Sequence, residues 1–131
     1  MILVDTQAIF WLVSRPTRLS AVARKAIERE RRTGGLTIAS VTLMELAQIA
    51  ATGRVRIRGT PEKWLRELVD ETGLAVKDLS IEIASVAAHL PPNFPPDPFD
   101  RVIAGTAMVE GIPLVTSDAR IQHSGVVRTI W

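Results

Sequence analysis

Cysteine is absent from this chain of 131 residues. That absence excludes a disulfide framework, a thiolate zinc site and a cysteine nucleophile, and it makes the cytoplasm the expected compartment. Aromatic residues are scarce at 5% against 47% hydrophobic residues overall, so the core must be aliphatic and rich in alanine. Charged residues, at 23%, are those of a folded chain rather than a disordered one. The net charge of +2 is too small to announce a polyanion partner, which leaves that argument to local clusters. No apolar stretch approaches the length that spans a bilayer, because charges and prolines interrupt every candidate. Residues 1–131 fit one domain, which at this size buries roughly two-thirds of its unfolded surface.

Several catalytic signatures are missing as well. There is neither a phosphate-cradling GxxxxGK nor a GxGxxG. His89 and His123 lack paired ligand spacing, so surface or packing roles are expected of them rather than a zinc site or a Ser-His-Asp triad.

What is present is an alternation of short apolar runs and helical stripes. Ile2-Leu3-Val4 suits a strand buried on both faces, and meeting Asp5 with no basic segment before it, it reads as a mature strand. A helix with the stripe Ala8, Ile9, Leu12 and Val13 follows, ended by Pro16. Ser20 is the expected cap of the next helix, with Val22, Ala23, Ala26 and Ile27 inward. Leu36-Thr37-Ile38 reads as a second strand, and Ser40 as the cap of a helix from about Val41 to Ala51. Between Gly53 and Gly59 basic and apolar residues alternate, so an extended segment would set Arg54, Arg56 and Arg58 on one side. Thr60-Pro61 opens a helix through Trp64, Leu65 and Leu68. Leu74-Ala75-Val76 is a third strand, and Ser80 caps a helix from Ile81 to Leu90. Pro91 to Pro96 is a rigid loop. A helix from Phe99 to Val109 carries the small residues Ala104, Gly105, Thr106 and Ala107, expected to pack closely on the sheet. Leu114-Val115-Thr116 and Val126 to Ile130 complete the strands. This order predicts a mainly parallel sheet covered by helices on both faces, with ligands beyond the carboxyl ends of its strands.

Four acids fall at such places: Asp5, Glu45, Asp100 and Asp118. Each has an ordinary explanation too. Asp5 can cap a helix; Glu45, among Val41, Leu46 and Ile49, needs a partner such as an arginine; Asp118 can serve a turn. In Asp97-Pro98-Phe99-Asp100, Asp97 suits an N-cap and Asp100 the third helical position. As a set, the four suggest a divalent-metal site, since carboxylates without His or Cys match hard cations. Arg54, Arg56 and Arg58 are candidates for tracking a phosphate backbone, alongside the plainer reading of a solvated surface. Trp11 and Trp64 belong to helix packing or a subunit interface.

In the order "DTQAIFWL", "ASVTLMEL", "DPFDRVIAGTA" and "PLVTSD", the whole chain resembles a PIN domain, and the VapC-type toxins in particular. The resemblance implies a three-layer α/β/α sandwich and a Mg²⁺- or Mn²⁺-dependent endoribonuclease, the toxin of a toxin-antitoxin pair. It also implies a homodimer inhibited by a VapB-type antitoxin. By the same resemblance Asp5, Glu45, Asp100 and Asp118 are the catalytic quartet, with Asp5, Asp100 and Asp118 on the metal. Thr6 and Thr116 support them and Asp97 is a possible auxiliary acid. Two alternatives remain beside it. One is a catalytically silent module of this fold that binds RNA or antitoxin. The other, a haloacid-dehalogenase-like phosphatase, also begins strand-Asp, but Gln7 stands where its second acid belongs.

Overall fold

Apolar runs too short to be helices become strands here, and the helices between them return the chain to the same edge each time. The computed structural model describes residues 1–131. Its elements are β1 (Ile2–Val4), α1 (Thr6–Ser14), a 3-10 turn (Pro16–Arg18), α2 (Ala21–Arg32), β2 (Leu36–Ala39), α3 (Ser40–Ala51), α4 (Pro61–Thr72), β3 (Ala75–Lys77), α5 (Ile81–Ala88), α6 (Pro98–Glu110), β4 (Leu114–Val115), α7 (Ala119–Ser124) and β5 (Thr129–Ile130). The strands form one sheet in the order β3-β2-β1-β4-β5, and every neighbouring pair is parallel. The expected mainly parallel sheet is thus wholly parallel, because a helix separates every strand from the next.

β1 is central. The chain lays β2 and β3 on one side of it, then crosses over to place β4 and β5 on the other. The order reverses between β1 and β4, and such a reversal opens a crevice beyond the carboxyl ends of the two strands. Period-two alternation in β1 sends Ile2 and Val4 to one face and Leu3 to the other. The first face is covered by Ala8 and Ile9 of α1, Ala23 and Ile27 of α2, Leu46 of α3 and Leu68 of α4. On the second, Leu3 and Leu114 lie under Ile103, Ala104 and Ala107 of α6, with Phe94 and Ile121 alongside. The result is a three-layer α/β/α sandwich. No helix is long and apolar enough to cross a membrane.

Several local expectations change. Ser40 does not cap α3; it is the first helical residue, and its Oγ accepts from the Leu79 amide at 3.3 Å, tying the helix start to the segment after β3. Val13 and Val22 stand 39% and 58% exposed, because the buried stripes centre on Ala8 and Ile9 in α1 and on Ala23, Ala26 and Ile27 in α2. β3 starts one residue late, at Ala75, and Leu74 is drawn into the core instead. The last strand shortens to Thr129–Ile130, since the chain leaving the left-handed Gly125 at the end of α7 bends at Val126 and Val127 before it pairs with β4. The small residues of α6 serve two surfaces rather than the sheet alone. Ala104 and Ala107 face the sheet, whereas a Cβ on Gly105 would lie 3.2 Å from the Ile83 carbonyl oxygen, so glycine is what lets α5 lie against α6.

Candidate metal centre

Each of four elements brings one carboxylate to the crevice. Asp5 follows β1, and its amide donates to the Val115 carbonyl at 3.1 Å, which pins it beside the end of β4. Its Oδ1 accepts from the Ala8 amide at 2.8 Å, so the capping role and the place in the crevice belong to the same residue. Glu45 projects from α3 and accepts from the Thr6 hydroxyl at 2.6 Å. With its one proton committed to Glu45, Thr6 is left to accept from Thr42, whose hydroxyl lies 3.0 Å away. The partner of Glu45 is therefore a hydroxyl relay and not an arginine.

Asp97 and Asp100, three residues apart, are separated by role. Asp97 is the exposed N-cap of α6, its Oδ1 accepting from the amides of Phe99 at 2.8 Å and Asp100 at 3.2 Å, with Pro98 opening the helix. Asp100, half-buried in the first turn, lines the hollow, and Asp97 does not. Asp118 caps α7, accepting from the Arg120 amide at 2.8 Å, while its own amide donates to the buried Thr116 hydroxyl at 3.1 Å. The Arg120 guanidinium also holds the Asp118 carboxylate, at 3.2 Å. Asp5, Glu45, Asp100 and Asp118 share a hollow of about 330 Å³, whose walls also carry Gln7, Ser117 and Arg54.

The electrostatics of the four diverge. Burial pushes Asp5 up to about 6, helped by Asp118 and Glu45 and opposed by the Thr116 hydroxyl and the Ala8 amide. Asp100 is pushed up to about 7, first by burial and then by Asp97, Asp118, Glu45 and Asp5. Glu45 is raised by burial, against its bond from Thr6, with Asp97 adding. For Asp118 burial also disfavours the charge, but hydrogen bonds from the Arg120 side chain and amide outweigh it and hold the carboxyl below its ordinary value. A cation in the hollow would favour the ionised form of the raised acids.

The donors are all oxygen, a set that suits Mg²⁺ or Mn²⁺ and disfavours soft metals. As the side chains stand, no three converge closely enough to hold an ion together. The residues fit a hard divalent cation by donor chemistry and by the hollow they share, with side-chain rotation needed to bring them onto one ion.

The arginine segment departs from expectation. Residues 53–59 form turns and bends with no strand, because Gly53 and Gly59 take left-handed φ values of 75° and 76°. Arg54, Arg56 and Arg58 consequently do not form one row: Arg54 lines the hollow, Arg56 a neighbouring groove, and Arg58 neither. His89 and His123 are exposed, and the Nδ1 of His89 donates to the Ser85 carbonyl at 2.8 Å. Arg120 escaped the sequence reading. Its signal is its place as the second residue of a helix capped by Asp118, visible only once that short helix is recognised.

A PIN domain family model matches residues 2–126. The chain is 33% identical over 132 aligned positions to "Ribonuclease VapC22" of Mycobacterium tuberculosis, covering 99% of this chain and 98% of that one. Among solved structures, VapBC2 from Rickettsia felis bound to a DNA fragment from its promoter is similar in fold, with a TM-score of 0.72 at 16% identity over 98% of this chain and 97% of that one. VapBC-1 from nontypeable Haemophilus influenzae gives 0.66 at 20% identity over 98% and 96%.

Proposed function

The chain belongs to the PIN domain family, and from that premise we propose that it is a VapC-type ribonuclease toxin, an endonuclease that cuts RNA phosphodiester bonds at its acidic hollow with Mg²⁺ or Mn²⁺. The observation that carries the proposal is the meeting of four carboxylates from four separate elements at the reversal of the sheet.

In this reading Asp5, Asp100 and Asp118 hold the cation. When bound, it supplies a more acidic water for attack and neutralises charge on the phosphate. Glu45 is oriented by the 2.6 Å bond from Thr6, and its raised pKa suits it to take a proton from the attacking water. Thr116, buried behind the hollow, steadies Asp5 and the Asp118 amide. Asp118 is already engaged by Arg120, so joining the cation means exchanging a guanidinium for a metal. Asp97 caps α6 and acts on Asp100 through its charge.

A nuclease that attacks the RNA of its own cell needs an inhibitor. The solved structures of like fold include assemblies named VapBC, which supports a VapB-type antitoxin as partner. We extend the proposal to a cytoplasmic homodimer held by that antitoxin. An Arg or Lys of the antitoxin entering the hollow would neutralise the acids in place of metal.

The spread of the acids gives the silent RNA- or antitoxin-binding module its one footing. The phosphatase has none, since Gln7 lines the hollow where its second acid belongs. Purified chain freed of antitoxin is expected to cleave RNA with Mg²⁺ or Mn²⁺, to stop with EDTA, and to leave p-nitrophenyl phosphate intact. RNA bound without cuts in every metal would favour the silent module.

A further inference from the structure

Next to the acidic hollow lies a second, larger one of opposite character. Its volume is about 550 Å³, and it adjoins the acidic hollow, with Gln7 and Arg54 in the walls of both. Four arginines wall it: Arg15 and Arg18 from the turn after α1, and Arg54 and Arg56 from the bend after α3. None of the four takes part in an ion pair, whereas Arg29, Arg66 and Arg120 each have a carboxylate partner. Phe10, Trp11 and Ser14 of α1, with Val55, complete the wall. The Arg18 guanidinium lies over the Trp11 ring, its carbon 5.9 Å from the ring centre. Trp131 also packs on the Trp11 ring, their centres 5.8 Å apart and their planes tilted by 45°.

We propose that this groove holds the single-stranded RNA flanking the bond to be cut, with Arg15, Arg54 and Arg56 on its phosphates and the Arg18–Trp11 pair as a platform for one unstacked base. The proposal rests on the ribonuclease reading above. A polyanion cannot approach a cluster of carboxylates unaided, and the adjoining cations supply the attraction that the hollow lacks. A planar guanidinium backed by an indole is a surface on which bases stack. Such a platform needs a base out of its helix, which selects a single strand over a duplex. An acidic peptide would satisfy the arginines but leave the platform without a matching plane, so the pairing of charge with a stacking surface favours RNA.

The test is anisotropy of fluorescein-labelled short oligouridine RNA, and of an abasic strand of equal length, bound to the full chain in EDTA at several salt concentrations. Melting temperatures of the variants check that each is folded. Arg15→Gln and Arg56→Gln are expected to weaken both strands and each to reduce the slope of log K on log salt by about 0.7. Arg18→Lys is expected to keep the slope yet weaken oligouridine roughly tenfold and the abasic strand little, as removal of a stacking plane should. Trp11→Leu should behave as Arg18→Lys does, and Lys25→Gln, at an exposed residue of α2 outside the groove, should change nothing.

Groove variants that bind RNA as the wild type does, from a wild type that cuts RNA, would overturn the proposal and leave the ribonuclease reading standing. Equal weakening of both strands by Arg18→Lys would refute the platform. Variants that lose co-purification with the antitoxin while keeping RNA affinity would show the groove to be a protein-docking surface instead. A wild type that neither binds nor cuts RNA would end both readings.

Discussion

At the amino ends of the strands, Glu30 accepts a hydrogen bond from the N-terminal amine of Met1 at 2.5 Å, and that bond lowers its pKa; at the carboxyl ends, burial and like charge push Asp5 up to about 6 and Asp100 up to about 7. Glu30 has its counter-charges within the chain, in the amine and in Arg29. The hollow has Arg120 on Asp118 and an Arg54 in its wall that pairs with no carboxylate, and the charges that shift Asp5, Glu45 and Asp100 are those of other acids. A carboxylate that serves the fold is placed where folding helps it ionise. Asp5, Glu45 and Asp100 are placed where folding hinders it, and a cluster held against its own electrostatics is the mark of a site built for something else.

The largest expected break in that comparison is catalytic. Asp5→Asn or Asp100→Asn should each lower the initial rate of RNA cleavage in Mn²⁺ at least about a hundredfold, since losing a metal ligand removes nucleophile activation and charge stabilisation together. Glu30→Gln should cleave at the wild-type rate. Full cleavage by Asp100→Asn would move the assignment to Asp97.

Asp97 supplies a smaller contrast within one helix start. Asp97→Ala removes the cap that receives two amides of α6 and should destabilise the protein by about 1 kcal/mol in urea titrations. It should also bring the Asp100 pKa down, because Asp97 is the largest charged contributor to its rise. An Asp100 pKa unmoved in an NMR titration of this variant would contradict the placement.

Of opposite sign at the two ends is the pH dependence without metal. Asp5 and Asp100 go from the ordinary 3.8 to about 6 and about 7 on folding, so between these values the folded state holds more protons than the unfolded one. Stability from this end is then greatest below about 4 and declines as pH rises toward 7. For Glu30 the unfolded state holds more protons, and its contribution is present at neutral pH and lost as pH falls through the lowered folded value. Urea unfolding in EDTA across this range should show a shallower decline for Asp100→Asn, and for Glu30→Gln a smaller loss at the acid end. Parallel curves for all three proteins would remove the electrostatic distinction between the ends.

Much of this was legible in the sequence, for local reasons. A buried parallel strand is a continuous apolar run, so Ile2 to Val4 and the Asp5 that ends it are read directly, and Pro98 after Asp97 fixes the start of α6. The α/β/α layering and the order of the acids follow from the same alternation. The illegible parts depend on geometry that no short window holds. α7 is six residues long, too short for a helical stripe, and with it went Arg120. The alternation from Gly53 to Gly59 looked extended, but turns and bends with a left-handed glycine at each end take the place of a strand, and its arginines part. Arg15 and Arg18 meet Arg54 and Arg56 only because the chain leaving α1 and the chain leaving α3 line one groove, a consequence of the fold that neither segment announces.

Thermal unfolding of the wild type and of Asp100→Asn, each at pH 7.5 with EDTA and with Mn²⁺, tests the metal centre most directly. A cation that binds the folded form alone, at about a hundred times its dissociation constant, stabilises it by about 2.7 kcal/mol. The account predicts a clear rise for the wild type with Mn²⁺. It predicts a higher metal-free melting temperature for Asp100→Asn, because one repelling charge is gone, and little further rise with metal. Equal metal-induced shifts in the two proteins would show that the four acids are not the metal site.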